Sequence, residues 1–304
     1  MAELLDALLV RLVPLLGELE GEPQALPGGI TNRNYRARLG AGDYVIRVTS
    51  PDTAFLEIDR WAEYAAALSA GRLGVGPEVA AFLAGEESLV TRFIPGRPIS
   101  PEEMRDPDTL AAVAHAVRTV HDGPPIPGTF SPYRVVEAYA RTAAARGVPV
   151  PRDFSPANQV AAEIEVALQG GEHLPVPCHN DLLNANFIHD GARVRIVDWE
   201  YAGMGDRYFD LGNLSINNDL REEDDQVLLE RYFGEPCTDR RLASLRLMRI
   251  MSDFREAMWG VVQIAVSPIE FDYAAYSARH FARLQESAAD PRYPDWLRDA
   301  TARP

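Results

Sequence analysis

The sequence predicts an α+β chain of two parts: a small, largely antiparallel sheet region over residues 1–95 and a larger helical region over residues 96–304. Three observations carry this expectation. Short β-prone runs separated by Gly and Asn clusters fill the first third of the chain. Helical spacing of apolar residues dominates the rest. Between them lies "PGRPISPEE", residues 95–103, a Pro- and Gly-rich break.

The elements follow in order. Leu5, Leu8, Leu9, Leu12, Leu16 and Leu19 recur at helical spacing, which predicts an amphipathic first helix kinked near Pro14. Residues 24–50 then predict a strand, a Gly-rich turn at Gly28–Gly29, a strand near Tyr35–Leu39, a turn at Ala41–Asp43 and a strand over Tyr44–Val48. An Ala-rich helix is expected over Asp59–Ala70, with strands at "PEVAAF" and "SLVTRFI". In the second part Leu110, Val113, Ala114, Val117 and His121 share one helical face. Further helices are expected near 133–146, 156–169, 223–233, 238–266 and 272–287. One clear β signal remains, residues 186–198, where Asp190-Gly191 turns a hairpin between two apolar runs.

Composition narrows the function classes. The formal net charge is -15, which argues against nucleic acid as a partner because phosphate backbones require a basic face. The same charge suits a cationic ligand or simple solubility. All 30 basic residues are Arg, so any phosphate-binding side-chain cation must be a guanidinium. Cys178 and Cys237 cannot form a disulfide framework and match no metal spacing, which fits a reducing cytoplasm. The N-terminus lacks a basic leader pattern, and "MWGVVQIAV" is too short to cross a bilayer, so no membrane insertion is expected.

The stretch "CHNDLLNANF", residues 178–187, places His, Asp and three Asn beside a hairpin of apolar strands. Folding at Asp190-Gly191 brings its end and "VDWE" to the same open end, so that Asp181, Asn186 and Asp198 converge. Two carboxylates and an amide oxygen form an all-oxygen ligand set, which suits Mg²⁺. With one Asp left to orient a hydroxyl, the set matches the division of labour in phosphoryl transfer. Asn and Asp are also ordinary turn residues, and Asp181 can be read as a helix cap.

At these residues the chain resembles the choline/ethanolamine kinase family, within the larger group that includes aminoglycoside phosphotransferases and, more distantly, protein kinases. "CHNDLLNANF", "VRIVDWEYAGMGDRYFDLGN", "GGITNRNY", "YVIRV", "LVTRFIPG" and "FDYAAYSARHF" match in order, from about residue 24 to about residue 287. The resemblance implies a bilobal protein-kinase-like fold with ATP between the lobes: residues 1–95 as the nucleotide-binding lobe with its leading helix, and 96–304 as the catalytic and acceptor-binding lobe. It implies Asp181 as catalytic base and Asn186 and Asp198 as Mg²⁺ ligands. His179 then braces the loop, and Asp210 anchors it through backbone N–H groups or, alternatively, caps a helix. Gly28, Gly29, Thr31 and Asn32 become the phosphate turn. Arg47 becomes the phosphate cation with Glu63 as its partner, although Arg60 can pair with Glu63 locally. Thr91, Phe93 and Ile94 fall in the adenine hinge.

On the acceptor side the resemblance matches Glu200, Tyr201 and Trp259, while Trp199 is expected in the core. The chain departs from the family where members commonly carry an earlier aromatic before the Trp259 position; Glu256 stands there instead. A cage missing one wall suits a quaternary ammonium less well than an acceptor with N–H donors or several charges. Asp219 and Asp253 either add to the negative field or are solvated helix residues, and Tyr273 and Tyr276 are expected in the core. The expected activity is phosphorylation of a small cationic alcohol, choline first and ethanolamine next. An aminoglycoside, thiamine or other amino-alcohol kinase is the alternative within enzymes. A non-catalytic nucleotide-binding pseudokinase is the alternative outside them, although Asp181, Asn186 and Asp198 are all retained.

Overall fold

Leu5, Leu8, Leu9 and Leu12 form an apolar stripe that needs a surface to cover. The computed structural model, which describes residues 2–27, 32–49, 56, 58–169, 173–267 and 269–301, supplies one. Helix α1 (Ala2–Leu16), which includes Pro14, packs against a sheet of β1 (Leu19–Ala25), β2 (Arg33–Leu39), β3 (Gly42–Val48), β4 (Val79–Leu83) and β5 (Ser88–Arg92). The sheet is antiparallel, in the order β1-β2-β3-β5-β4. Strand alternation puts Ala37, Leu39, Tyr44, Ile46 and Val48 in the small core with the α1 leucines. Arg47, between Ile46 and Val48, therefore points to the other face. There it meets α2 (Arg60–Arg72), whose start is fixed by Asp59 accepting the N–H groups of Trp61 and Ala62.

The rest of the chain is built from β6 (Arg97–Pro98), α3 (Pro101–Met104), α4 (Pro107–His121), α5 (Pro132–Ala145), α6 (Phe154–Ala167), β7 (Pro175–Cys178), β8 (Phe187–His189), β9 (Val194–Ile196), β10 (Gly203–Asp206), α7 (Arg207–Asn217), α8 (Glu222–Phe233), α9 (Asp239–Val266), α10 (Tyr273–Ala288) and α11 (Tyr293–Thr301). Three of these helices begin on a Ser or Asp cap followed by Pro: Ser100, Asp106 and Ser131. The long α9 is the central post, buried from Leu245 to Gln263 at most positions, with α5, α7, α10 and α11 packed around it.

One sequence expectation changes, and the helix-cap alternative for Asp210 falls away. The helical region carries more β structure than one hairpin: β6 extends the β8–β9 hairpin to three strands, and β7 pairs antiparallel with β10. These strands have two to four residues and contain Pro or Gly, so they lack the alternation that marks a strand. Asp210 lies inside α7, and Asp206 caps that helix instead by accepting the N–H of Tyr208. Among the described residues no helix is long and apolar enough to cross a membrane.

The approach of α7 to α9 is set by Gly212. A Cβ there would lie 2.7 Å from the backbone carbon of Met248 and 2.8 Å from the backbone nitrogen of Arg249. Backbone cannot swing aside as a side chain can. Gly212→Ala should therefore lower the unfolding free energy by about 1–3 kcal/mol, read from chemical denaturation; an unchanged midpoint would contradict this contact.

Candidate active site

The loop after β7 is organised by one buried carboxylate. Asp210 accepts the backbone N–H of His179 at 2.8 Å and of Asn180 at 2.6 Å. His121 Nε2 lies 3.0 Å from the same carboxylate, and its Nδ1 lies 2.7 Å from the Tyr232 hydroxyl. Asn180 is thereby held at φ 65, a left-handed conformation uncommon outside Gly. Its side-chain amide donates to the Tyr201 carbonyl at 3.0 Å. His179 Nδ1 accepts the N–H of Asp181 at 3.2 Å, so its proton sits on Nε2, 3.0 Å from the Val197 carbonyl that accepts it. Burial lowers the pKa of His179, which favours this neutral brace. Leu182 N–H donates to Asn213, completing the frame that aims Asp181 outward from the loop. His121, Cys178 and Asp210 bring three ligand-type atoms within 4.8 Å, but the hydrogen bonds of Asp210 and His121 identify a structural network there.

The hairpin adds the next two residues. Asn186 donates its amide to the Asp181 carbonyl at 2.8 Å. Asp198 follows β9 at φ 68, a second left-handed non-Gly residue in the same site. Asp181, Asn186 and Asp198 line one cavity of about 130 Å³, together with Asn32, Glu200, Tyr201, Glu256 and Trp259. The convergence expected from the hairpin is therefore present.

Above the cavity runs a chain of buried ion pairs. Arg47 bonds Glu63, and its second amine donates to Asp198 at 2.7 Å. Arg60 donates to Glu63 at 2.7 Å and to Glu200 at 3.2 Å, so both partners anticipated for Glu63 are engaged at once. Asn32 closes the circuit, donating to Glu200 at 2.7 Å and accepting from Arg60 at 3.2 Å. Burial raises the pKa of Glu200, helped by Asp198 and opposed by Arg47 and Arg60. Burial likewise pushes the Asp181 carboxyl up to about 8; Arg255 pulls against it, while Glu256, Asp198 and Glu200 add to it.

At the far end, Glu256 does line the cavity, but both its oxygens are engaged. One accepts from Arg255 at 2.6 Å, the other from the Tyr276 hydroxyl at 2.7 Å. Burial opposes its ionisation, yet Arg255, His280 and Tyr276 outweigh that and hold its pKa low. Trp259 donates its indole N–H to the Tyr201 hydroxyl at 3.0 Å. Sequence reasoning assigned Tyr276 to the core and gave no part to Arg255 or Asn34, which also line the cavity. The only signal for Tyr276 was its place in the matching segment 271–281.

Other expected residues lie elsewhere. Gly28, Gly29 and Thr31 fall outside the described residues. Thr91 pairs within the sheet, and Phe93 donates its N–H to the Asp43 carbonyl with its ring under the Arg36 guanidinium at 4.1 Å. Thr91, Phe93 and Ile94 do not line the cavity. Asp253 is not a solvated residue: it is fully buried against His280 and Arg283. Trp199 is buried, as expected, edge-on to His179. A larger cavity of about 320 Å³ lies on the other side of Glu200 and Tyr201, toward α5, and none of Asp181, Asn186 and Asp198 lines it.

Comparison with known proteins bears on the family and the fold. The chain is 26% identical over 225 residues to human ethanolamine kinase 2, an alignment covering 64% of this chain and 58% of that protein. A choline/ethanolamine kinase family protein from Mesorhizobium loti superposes with a TM-score of 0.84 at 29% identity, covering 98% of this chain and 99% of that one. Choline kinase LicA from Streptococcus pneumoniae shares the fold, with a TM-score of 0.80 at 21% identity over 94% of this chain and 99% of that one. The α+β kinase-like architecture expected from sequence is thus the architecture of these structures. The phosphotransferase enzyme family matches residues 22–247, most of the chain and all of the loop and hairpin that build the cavity, and the chain belongs to that family.

Proposed function

We propose that this chain transfers the γ-phosphoryl group of ATP to the hydroxyl of a small amino alcohol. The observation that carries the reading is the convergence of Asp181, Asn186 and Asp198 on one cavity beneath the Arg47–Glu63 pair. The similarity to ethanolamine and choline kinases supports it. In this reading residues 1–95 are the nucleotide lobe and 96–304 the catalytic lobe. Gly28, Gly29, Thr31 and Asn32 cradle the phosphates, and Thr91, Phe93 and Ile94 border the adenine. The two cysteines, both free, suit a reducing cytoplasm.

Asp181 orients the acceptor hydroxyl and takes its proton as the oxygen bonds the γ-phosphorus. The bond from that phosphorus to the β–γ bridging oxygen breaks, and ADP leaves with the electron pair. Arg47 clamps phosphate from a position already fixed by Glu63 and Asp198, which lowers the ordering cost at binding. Glu200, with Tyr201, Trp259 and Glu256, forms the acceptor end. The similarity to ethanolamine and choline kinases favours a small alcohol over a multi-ring aminoglycoside as acceptor.

The donor set fits Mg²⁺. Asn186 spends its amide N–H on the Asp181 carbonyl, which leaves its oxygen as the acceptor end, and Asp198 uses one oxygen on Arg47. Both groups are hard oxygen donors, and Mg²⁺ takes few protein ligands beside water and phosphate. When bound, it would neutralise phosphate charge.

The test is ADP release across ethanolamine, its N-methylated derivatives, choline, thiamine and an aminoglycoside panel. Turnover is expected with the small amino alcohols. Asp181→Asn should cut kcat by about 10²–10⁴ with the fold retained by far-UV circular dichroism; wild-type turnover in that variant would refute the base assignment. Chelation of divalent cations should abolish turnover and added Mg²⁺ restore it, whereas turnover persisting in excess chelator would refute the roles of Asn186 and Asp198.

A further inference from the structure

The acceptor end holds three aromatic rings, Tyr201, Trp259 and Tyr276. Two of them already carry a cation from the chain itself. The Arg255 guanidinium sits 4.3 Å from the centroid of Tyr201, and that of Arg279 sits 5.2 Å from Tyr276. Arg255 is the deeper of the two, 1% exposed in the middle of α9. One amine, Nη1, lies 3.2 Å from Asp181 and 2.6 Å from Glu256. Among the described residues its Nε and Nη2 are buried with no hydrogen-bond partner, and the Tyr201 ring packs against the guanidinium.

We infer that Arg255 is a specificity-determining residue that turns the acceptor site against quaternary ammonium groups and toward ammonium groups that carry N–H. The inference rests on the amino-alcohol reading above. A quaternary ammonium has no N–H, so it is held by ring faces and diffuse negative charge alone. Here the guanidinium occupies the Tyr201 face, adds positive charge at the pocket and engages one oxygen of Glu256; Tyr276 engages the other. An ammonium with N–H loses less, because it can donate directly to carboxylate and hydroxyl oxygens, and charge-assisted hydrogen bonds are the stronger kind. Glu200 lines the same cavity, and since Asn32 and Arg60 both engage one of its oxygens, the second can supply such an acceptor.

Calorimetric binding of ethanolamine, its mono- and dimethyl derivatives and choline, each with a non-hydrolysable ATP analogue present, tests this. For the wild type, affinity should fall with N-methylation, choline binding about tenfold more weakly than ethanolamine, the worth of one desolvated ring face. Arg255→Met and Arg255→Gln should each move that ratio toward unity; because the ratio is internal to each variant, a general loss of affinity cancels. Equal binding of choline and ethanolamine by the wild type, or a ratio unmoved in both variants, would overturn the inference. The wild-type series stands alone should the variants misfold, and failure of the wild type to bind any of the four overturns the inference as well. ADP formation in parallel samples judges the kinase reading separately: preferential ethanolamine binding without ADP would remove that reading and leave the selectivity of Arg255 standing.

Discussion

The buried carboxylate of Asp210 is the constraint on which the site depends. It is 1% exposed and accepts two consecutive backbone N–H groups, those of His179 and Asn180. Consecutive N–H groups converge on one acceptor only when the backbone between them bends, and here the bend is the left-handed Asn180. That conformation costs free energy for a non-Gly residue. It persists because Asp210, Tyr201 and Gly205 enclose it: Gly205, opposite Val176 in the β7–β10 pair, has no side chain to fill the space beside the Asn180 amide. The direction of Asp181 follows from this bend, and so does its distance from Asn186.

A second network ties the sheet region to the helical region. Arg47 on β3, Glu63 and Arg60 on α2, Asn32 before β2, and Glu200 after β9 form one connected set of buried charges and amides, which Arg47 extends to the partly exposed Asp198. Removing one member would leave another charge buried without its partner, which costs more than the pair contributes. Such a set therefore fixes geometry more than it adds stability. Glu200 belongs both to this network and to the cavity, so one side chain joins the Asn32 and Arg60 end of the network to the cavity wall.

Much of this was legible in the sequence, for identifiable reasons. Asp181, Asn186 and Asp198 lie within eighteen positions around one Asp-Gly turn, so local rules bring them together. The long helices carry strong periodicity, and α9 and α10 start and end within a few residues of expectation. What escaped depends on contacts between distant elements. Tyr276 reaches Glu256 because Gly260 lets α10 approach α9, with Ser277 and Tyr276 atoms 3.2 Å from where its Cβ would be. Nothing in the spacing of Arg255 distinguishes a residue inside the pocket from one paired on a helix surface. Asp253 has the look of a solvated helix position until α10 delivers His280 and Arg283 to it.

The absence of lysine has a chemical consequence at β3. Arg47, the residue proposed to meet the phosphates, stands on that strand as a guanidinium, with no primary amine. A guanidinium binds phosphate oxygens through a planar fork, whereas a lysine offers a single ammonium point charge. Acyl-phosphate nucleotide probes, which mark ATP sites by acylating a lysine amine beside the phosphates, find no lysine side chain anywhere in these 304 residues. In a proteome labelled that way this nucleotide site would be silent, however full its cleft.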